Sequence, residues 1–137
     1  MANRFEGSIE GYRGIELFTQ SWRSEHHKGT LIVTHGMAEH SDCYNEFAQY
    51  CNEKGWDVFA WDLRGHGRSE GQRGYVDSFD CFEKDLRKVI EFVKTEKNGP
   101  YVLFGHSLGG LITIKNLIKW LFNHFSSIIK KNSSYFL

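Results

Sequence analysis

The sequence predicts an α/β fold in which a mostly parallel, doubly wound sheet of about five strands is flanked by helices. Short apolar runs rich in β-branched and aromatic residues alternate with longer segments whose apolar residues recur every three or four positions. This alternation is typical of parallel strands joined by right-handed crossovers. The 137 residues are enough for one domain with a buried core. Ligands in such sheets bind beyond the carboxyl ends of the strands, so we look for functional residues there.

The chain begins with a segment that predicts a hairpin or meander. Residues 3–24 alternate between polar and apolar side chains and are interrupted by glycines. Residues 30–34 form a continuous aliphatic and β-branched run, typical of a strand buried on both faces. A helix is expected to follow, capped by Ser41 or Asp42 and ending where Gly55 offers a left-handed conformation.

The middle of the chain repeats the same order of elements. Residues 56–61 predict a strand, and a glycine-rich loop follows it. Ser78 or Asp80 can cap the next helix, and Asp80 and Glu83 have the spacing of a capping box. Glycine and proline at positions 99 and 100 end this helix.

The last predicted strand and helix are joined at a serine. Residues 101–104 are apolar, and after the serine one apolar stripe continues at spacings of three and four to about Lys130. The members of this stripe are Leu111, Ile114, Ile118, Leu121, Phe125 and Ile128. The sequence therefore predicts a single long helix that follows the strand.

The joint between this strand and helix fits a nucleophile elbow. Gly105-x-Ser107-x-Gly109 places a serine on a strained turn between strand and helix, with its hydroxyl projecting outward. We expect glycine on either side because strand and helix pass so close that side chains there would collide. Alone, this short pattern also fits an ordinary glycine-serine turn, so the surrounding elements support the functional interpretation.

The loop after residues 30–34 is expected to lie beside the elbow. A tetrahedral oxyanion needs two fixed N–H donors, one from the residue after the nucleophile and one from this loop. The candidates are the backbone N–H groups of Leu108 and Met37. By residue type alone, His35 and His40 are a turn histidine and a surface histidine.

The loop at residues 62–69 has glycines but lacks a phosphate-binding pattern. It has no Walker A lysine, and Glu70 follows where a dinucleotide fingerprint would need a third glycine. We interpret it as a structural loop in which Asp62 and Arg64 make loop-fixing hydrogen bonds. The neighbouring pair His26 and His27 is interpreted as a solvated turn, and no metal site is predicted.

Three motifs together resemble the serine α/β-hydrolases of the monoacylglycerol lipase and lysophospholipase group, which include serine aminopeptidase S33-type hydrolase domains. The motifs are His35-Gly36-x-x-Glu39-His40-Ser41, Asp62-x-Arg64-Gly65-x-Gly67-x-Ser69 and Gly105-His106-Ser107-x-Gly109-Gly110, in family order. The resemblance covers residues 3–118.

The resemblance implies a serine esterase of the lipase or lysophospholipase type, in which Ser107 attacks a monoacylglycerol or lysophospholipid ester and forms an acyl-enzyme. It implies supporting roles for the residues around the nucleophile and the oxyanion loop, namely His35, Gly36, Gly105, His106 and Gly109. It implies no cofactor.

The triad acid and histidine that such an enzyme needs are absent after the nucleophile. No Asp or Glu follows Ser107, and the only histidine there, His124, lies about 25 Å along the same helix. We therefore expect residues 1–137 to form one incomplete α/β-hydrolase domain, truncated by a frameshift, an early stop or a partial reading frame. Its later strands and lid are missing, residues 119–137 form a divergent helical tail, and esterase activity is expected to be low or absent.

Composition limits the partners. Seventeen basic and seventeen acidic residues balance, and no basic cluster predicts nucleic-acid binding. Three cysteines without a pairing pattern, and an amino terminus without an apolar signal region, predict a cytoplasmic protein. No run is long enough for a transmembrane span.

Several alternatives stay open at this point. A small-molecule or lipid ester is the expected substrate. A peptidase or thioesterase on the same scaffold, and a non-catalytic fragment or interaction module, remain possible. Because strand 101–104 would lose its outer neighbour, self-association through that edge or through the tail helix is also expected.

Overall fold

One five-stranded sheet organises the computed structural model, which describes the backbone of residues 3–133 and the side chains of residues 3–127. The strands are β1 (Asn3–Glu10), β2 (Glu16–Arg23), β3 (Gly29–Thr34), β4 (Trp56–Trp61) and β5 (Tyr101–Gly105). The α-helices in the described part are α1 (Asn45–Glu53), α2 (Phe79–Glu96) and α3 (Leu108–Ser133). Short 3-10 turns occupy Tyr12–Gly14 and Ser41–Tyr44.

The sheet has the strand order β1-β2-β4-β3-β5. β3 pairs in parallel with both β4 and β5, whereas β2 is antiparallel to β1 and β4. Four of the five strands therefore point the same way, and β2 is the exception. The predicted α/β fold with about five strands is confirmed, as is the hairpin at the start. β3 lies in the interior of the sheet, as its continuous aliphatic run predicted.

Neighbouring residues of a strand point to opposite sides of the sheet, and here both sides carry apolar side chains, so helices pack on both faces. On one face, strand residues such as Ile32 pack against α2, and Ile112 of α3 joins the same core. On the other face, Val33 and its neighbours pack against Ala48 and Cys51 of α1. The sheet is therefore doubly wound, and the carboxyl ends of β3, β4 and β5 remain open to the loops that follow them.

The ends of the helices differ in part from the predictions. The predicted helix after β3 begins as a 3-10 turn at Ser41, and Gly55 has the expected positive φ of +93°. Ser78 occupies the N-cap position of α2. The predicted capping box is wrong: Asp80 accepts a bond from Lys115, and the fully buried Glu83 accepts one from Lys119, both on α3. Both carboxylates therefore form ion pairs between α2 and α3 instead of binding backbone N–H groups at the start of α2.

α3 is much longer than the strand it follows. Its 26 residues span about 39 Å, whereas the five residues of β5 span about 17 Å. The predicted long helix is confirmed, but its apolar stripe faces outward: Leu111, Ile114, Ile118, Leu121 and Phe125 are exposed. Ile128, the last member of the predicted stripe, lies outside the described side chains. Within the described residues, no helix has the length and hydropathy required to cross a bilayer.

Candidate active site

Ser107 lies on the sharp turn between β5 and α3. Its φ is +53°, in the left-handed region that residues with a side chain rarely adopt, and its side chain is exposed. Backbone strain of this kind costs about 1–3 kcal/mol and tends to occur at functional sites. The turn therefore presents the serine hydroxyl beyond the carboxyl end of the sheet.

The two glycines of the motif allow the close approach that this turn requires. A Cβ at Gly105 would lie 2.6 Å from the carbonyl carbon of Gly109, and one at Gly109 would lie 2.5 Å from the carbonyl oxygen of His35. It would come closer still to the carbonyl oxygen of Thr34. Any side chain at Gly109 would therefore push α3 away from the end of β3.

The loop after β3 lies directly against the elbow. A Cβ at Gly36 would be 3.2 Å from the Cβ of Ser107 and 3.2 Å from the carbonyl oxygen of His106. Leu108 follows the serine, and Met37 follows Gly36. Among the described residues, no acceptor takes a hydrogen bond from the backbone N–H of Met37 or Leu108. Two unused amide donors thus flank the turn that carries Ser107.

Glu39 holds the loop after β3 in this conformation. Its Oε2 accepts hydrogen bonds from the backbone N–H of Gly36 and from the hydroxyl of Tyr44, both at 2.8 Å. His106 Nδ1 lies 3.2 Å from Glu39 Oε1. The bond from Gly36, followed by those from Tyr44 and His106, lowers the pKa of Glu39. Sequence reasoning noted Glu39 only as a motif position and missed this role.

His35 is buried and hydrogen-bonds to two loops, so it is not the turn histidine that its residue type alone suggested. The backbone N–H of Leu63 donates to His35 Nε2 at 2.9 Å, so this nitrogen carries no proton. Nδ1 therefore carries the proton and donates to the carbonyl oxygen of Gly36 at 2.6 Å. Burial lowers the pKa of His35 and keeps the ring neutral. The ring links the start of the β3 loop to the loop after β4.

The loop after β4 is structural, as predicted for Asp62. This buried carboxylate accepts hydrogen bonds from the backbone N–H of Ser41 at 2.6 Å and of Arg68 at 2.9 Å. Ser69 donates to the carbonyl oxygen of Asp62 at 2.5 Å and accepts from the backbone N–H of Phe18. The carboxylate of Asp62 thus ties the loop after β4 to the loop after β3, and Ser69 ties it to β2.

Arg64 forms a second anchor for that loop, with a partner that the sequence did not predict. Its Nε donates to Asp85 Oδ2 at 2.6 Å and its Nη2 to Asp85 Oδ1 at 2.8 Å, a bidentate pair. Asp85 is completely buried on α2, and its Oδ1 also accepts from the backbone N–H of Tyr12 at 2.8 Å. An aspartate next to the apolar stripe of α2, three residues after Phe82 and one before Leu86, was the only sequence signal for this pair.

A cleft of about 530 Å³ opens next to the proposed oxyanion donors. Met37 and Leu108 line it together with residues of the segment between β4 and α2 and of α2 itself. The other apolar and aromatic residues in its lining are Tyr75, Val76, Phe79 and Phe82. The cleft is mainly apolar at the wall, with Glu39, His40, His66 and Arg73 at its polar margin. Its size and mainly apolar lining are those of a small-molecule binding site.

The Ser107 hydroxyl has no base beside it in the described part of the chain. No side chain there hydrogen-bonds to it, and the neighbouring His106 is turned toward Glu39. His124 lies on α3, where its ring stacks on Trp120 at a centroid distance of 4.2 Å. The structure therefore brings together the predicted nucleophile, Gly36, Gly105, Gly109 and both donor amides, and it leaves the proton acceptor unaccounted for.

Comparison with known proteins connects this geometry to a family. A family model described as serine aminopeptidase, S33, matches residues 25–128. A monoglyceride lipase from Rattus norvegicus is 40% identical over 103 residues, covering 74% of this chain and 34% of the relative. A monoacylglycerol lipase from Mycolicibacterium smegmatis is 32% identical over 111 residues, covering 80% of this chain and 40% of the relative.

Solved structures agree on the fold. A thermostable carboxyl esterase from Bacillus coagulans superposes with a TM-score of 0.72 at 26% identity, over 85% of this chain and 40% of that one. An alpha/beta hydrolase from Penicillium gives a TM-score of 0.74 at 20% identity, over 82% and 40%. The chain thus spans between about a third and two fifths of the length of these relatives.

Proposed function

The chain belongs to the hydrolase family described as serine aminopeptidase, S33, and from that premise we propose that it carries the nucleophile and oxyanion site of a serine carboxylic-ester hydrolase acting on lipid monoesters. Ser107 is the proposed nucleophile, and the backbone N–H groups of Met37 and Leu108 are the proposed oxyanion donors. Gly36, Gly105 and Gly109 allow the close approach, and His35 and His106 support the two loops.

One observation carries this proposal. The strained turn at Ser107 lies against the β3 loop, so close that a Cβ on Gly36 would sit 3.2 Å from the Cβ of Ser107. The amide donors of Met37 and Leu108, which follow Gly36 and Ser107, have no acceptor among the described residues. A projecting hydroxyl with two such N–H groups nearby is the arrangement that an acyl-transfer reaction requires.

The reaction proceeds through an acyl-enzyme. Ser107 Oγ bonds to the ester carbonyl carbon as its proton passes to a base, and the carbonyl oxygen becomes an oxyanion held by the N–H groups of Met37 and Leu108. The alcohol leaves with a proton as the intermediate collapses. Water then adds to the acyl group, which is released as the fatty acid, and Ser107 regains its proton.

The base and its orienting acid are not supplied by the residues that follow Ser107. No Asp or Glu occurs there, and His124 lies on α3, where its ring stacks on Trp120. We therefore propose that residues 1–137 form one incomplete hydrolase domain. Loss of a triad histidine lowers turnover by about a million-fold, so the chain by itself should show little esterase activity.

The substrate proposal rests on the cleft and on the relatives. The cleft has a volume of about 530 Å³ and a mainly apolar lining, so it suits an acyl chain beside Leu108. The two curated relatives described above carry the printed names of monoglyceride and monoacylglycerol lipases. We propose monoacylglycerol or lysophospholipid esters as substrates. A cytoplasmic location is proposed because Cys43, Cys51 and Cys81 are all free thiols.

The test supplies the missing base from solution. The 137-residue chain is incubated with a fluorophosphonate probe in increasing concentrations of imidazole, beside Ser107→Ala and the control Ser127→Ala, which removes another exposed serine hydroxyl. Imidazole-dependent labelling of the wild type and of Ser127→Ala, but not of Ser107→Ala, is the expected result. Labelling that persists in Ser107→Ala, or a folded wild type that remains unlabelled at every imidazole concentration, would contradict the proposal and favour a non-catalytic module.

Substrate class is tested in the same imidazole-supplemented reaction. Release of product from p-nitrophenyl esters of increasing chain length is compared with release from a thioester and from an amino-acid anilide. We expect medium or long acyl esters to react fastest because the cleft wall is apolar. Faster reaction of the anilide or thioester would identify a peptidase or thioesterase on the same scaffold instead.

A further inference from the structure

The chain from Gly36 to Glu39 forms a tight turn that two hydrogen bonds close. The backbone N–H of Glu39 donates to the carbonyl oxygen of Gly36 at 3.2 Å. In return, the carboxylate of Glu39 accepts from the backbone N–H of Gly36 at 2.8 Å. Met37, whose N–H is one of the proposed oxyanion donors, lies within this doubly closed turn.

Ala38 is the strained position of the same turn. Its φ is +60°, in the left-handed region that residues with a side chain rarely adopt. Such a conformation persists only where the surrounding contacts impose it. The two bonds between Gly36 and Glu39 bracket Ala38, and the bond to the carboxylate is the shorter one. Without that carboxylate, the strained turn would be free to relax and to carry the Met37 N–H with it.

The same carboxylate also contacts the nucleophile elbow. His106 Nδ1 lies 3.2 Å from Glu39 Oε1, although the two residues follow different strands. The bond from Gly36, above all, lowers the pKa of Glu39, so at neutral pH this group is ionised and only accepts hydrogen bonds. His106 Nδ1 therefore carries a proton and donates it to this bond. Because His106 directly precedes Ser107 and Leu108, the contact fixes the start of the segment that carries the second donor.

Tyr44 fixes the carboxylate to the body of the fold. Its hydroxyl donates to Glu39 Oε2 at 2.8 Å, and burial followed by this bond raises the pKa of Tyr44, so the hydroxyl keeps its proton. The Tyr44 ring packs edge-on against Phe47 of α1 and Phe104 of β5, at centroid distances of 6.5 and 6.1 Å. All contacts of Glu39 described here join residues between β3 and the elbow, so none involves the free edge of β5 or the exposed face of α3.

An exposed ion pair between Glu39 and His106 would be weak evidence by itself. The His106 side chain is 58% exposed and that of Glu39 is 30% exposed, and such pairs contribute little to stability. The bonds from Gly36 and Tyr44 determine where the carboxylate lies, and the bond from His106 relates the elbow to that position. If Glu39 only stabilised the loop after β3, its replacement would leave the elbow unaffected.

We propose that Glu39 is a positioning residue that sets the relative position of the two oxyanion donors. It acts on Met37 through the closed turn and on Leu108 through His106. The proposal rests on the function proposed for Ser107 and names what keeps the donor pair in place before a substrate binds. Donors that are already in place stabilise an oxyanion without rearranging during the reaction. Glu39 itself forms no bond to the substrate.

Backbone amide NMR at pH 7 tests the positioning without requiring any reaction. Glu39→Ala removes every contact of the carboxylate. In Glu39→Gln the amide oxygen can still accept from Gly36 and Tyr44, but the NH₂ group meets the donor of His106. The control Glu46→Gln removes the same charge from an exposed residue of α1 and should leave the turn and the elbow unchanged. Circular dichroism establishes whether each variant is folded, and Glu39→Gln keeps the test available if Glu39→Ala unfolds.

The turn should respond to loss of the carboxylate. Hydrogen exchange of the Gly36 amide should be at least about 10-fold faster in Glu39→Ala, because this N–H loses a charged acceptor. The amide signal of Met37 should move in the same variant. An unchanged exchange rate at Gly36 in folded Glu39→Ala would overturn the proposal.

The elbow should respond only through His106. Glu39→Gln should move the amide signal of Leu108, and the same change made in His106→Leu should not, because both substitutions break one contact. A Leu108 signal that ignores Glu39→Gln, or that moves equally in the His106→Leu background, would overturn the proposal and leave Glu39 as a loop-stabilising residue only.

Phosphonylation of Ser107 in the presence of imidazole relates the positioning to reactivity. Glu39→Ala should lower the maximal labelling rate by about 100-fold, as does the loss of one oxyanion donor. The half-saturating probe concentration should change by less than about 3-fold, since positioning acts on the reaction rather than on binding. A loss confined to the half-saturating concentration would overturn the proposal. An unlabelled wild type would contradict the function proposed for Ser107, and the amide measurements alone would then decide whether Glu39 positions the two N–H groups.

Discussion

Replacing Gly109 by alanine tests the close contact between α3 and β3 on which the site depends. The added Cβ would lie 2.5 Å from the carbonyl oxygen of His35 and nearer still to that of Thr34. Both atoms belong to the backbone at the carboxyl end of β3, so they cannot yield by a change of rotamer. Relief requires α3 to move away from the sheet, which would separate Leu108 from the loop that carries Met37.

The loss of folding stability in Gly109→Ala can be judged against the same change at Gly110, a neighbouring glycine that lacks this contact. Overpacking at a rigid position costs about 1–3 kcal/mol or more. At Gly110 a Cβ would meet nothing nearer than the carbonyl oxygen of Gly105 at 3.4 Å. Gly110→Ala should therefore be neutral or stabilising by up to about 1 kcal/mol, as expected for alanine in a helix. The two variants are expected to differ by about 1–4 kcal/mol.

Guanidinium unfolding, monitored by circular dichroism at matched protein concentration, measures this difference in the free energy of unfolding. Gly109→Ala should lower the unfolding midpoint and should also reduce imidazole-dependent probe labelling of Ser107. Gly110→Ala should change neither in that direction. Equal stabilities of the two variants would refute the argument that close backbone approach, rather than helix propensity, determines the residue at position 109.

Two further predictions concern the residues that tie the loops together. Asp85→Asn breaks the buried bidentate pair with Arg64 and should destabilise the fold by about 3–5 kcal/mol in the same unfolding assay, whereas a loss below about 1 kcal/mol would show that the pair is dispensable. Burial lowers the pKa of His35 below its usual value of 6.5, so the unfolded state binds the extra proton first as pH falls. Stability should therefore be complete above pH 6.5 and decline below it, by at most about 1.4 kcal/mol per pH unit for one group. His35→Gln should flatten this decline, and an unchanged slope would contradict the assignment.

The strands and helices could be predicted because the evidence for them is local. The aliphatic run at residues 30–34, the stripe of α2 and the glycine at position 55 each determine their own element. The elbow was also predictable, since its glycines lie only two positions before and after the serine that they accommodate. The structure adds the backbone atoms that would collide with a side chain at position 109.

Apart from the local bonds of Glu39 to Gly36 and Tyr44, the contacts that were missed are long-range. Asp85 meets Arg64, and Glu83 meets Lys119, only once the sheet has brought separate segments together. Spacing along the chain assigned Asp80 and Glu83 to a helix cap because it contains no information about a neighbouring helix. Likewise, an apolar stripe at helical spacing normally faces a core, and only the structure reveals that the stripe of α3 faces outward.

We propose that the N–H groups of Met37 and Leu108 point to the position that the oxyanion of an acyl group on Ser107 would occupy. The most direct test is the proton NMR shift of these two amides before and after phosphonylation of Ser107, with the amide of Gly110 as a reference. Both signals should move downfield on adduct formation while the Gly110 signal stays in place. Unchanged shifts at Met37 and Leu108 in a fully phosphonylated sample would contradict it.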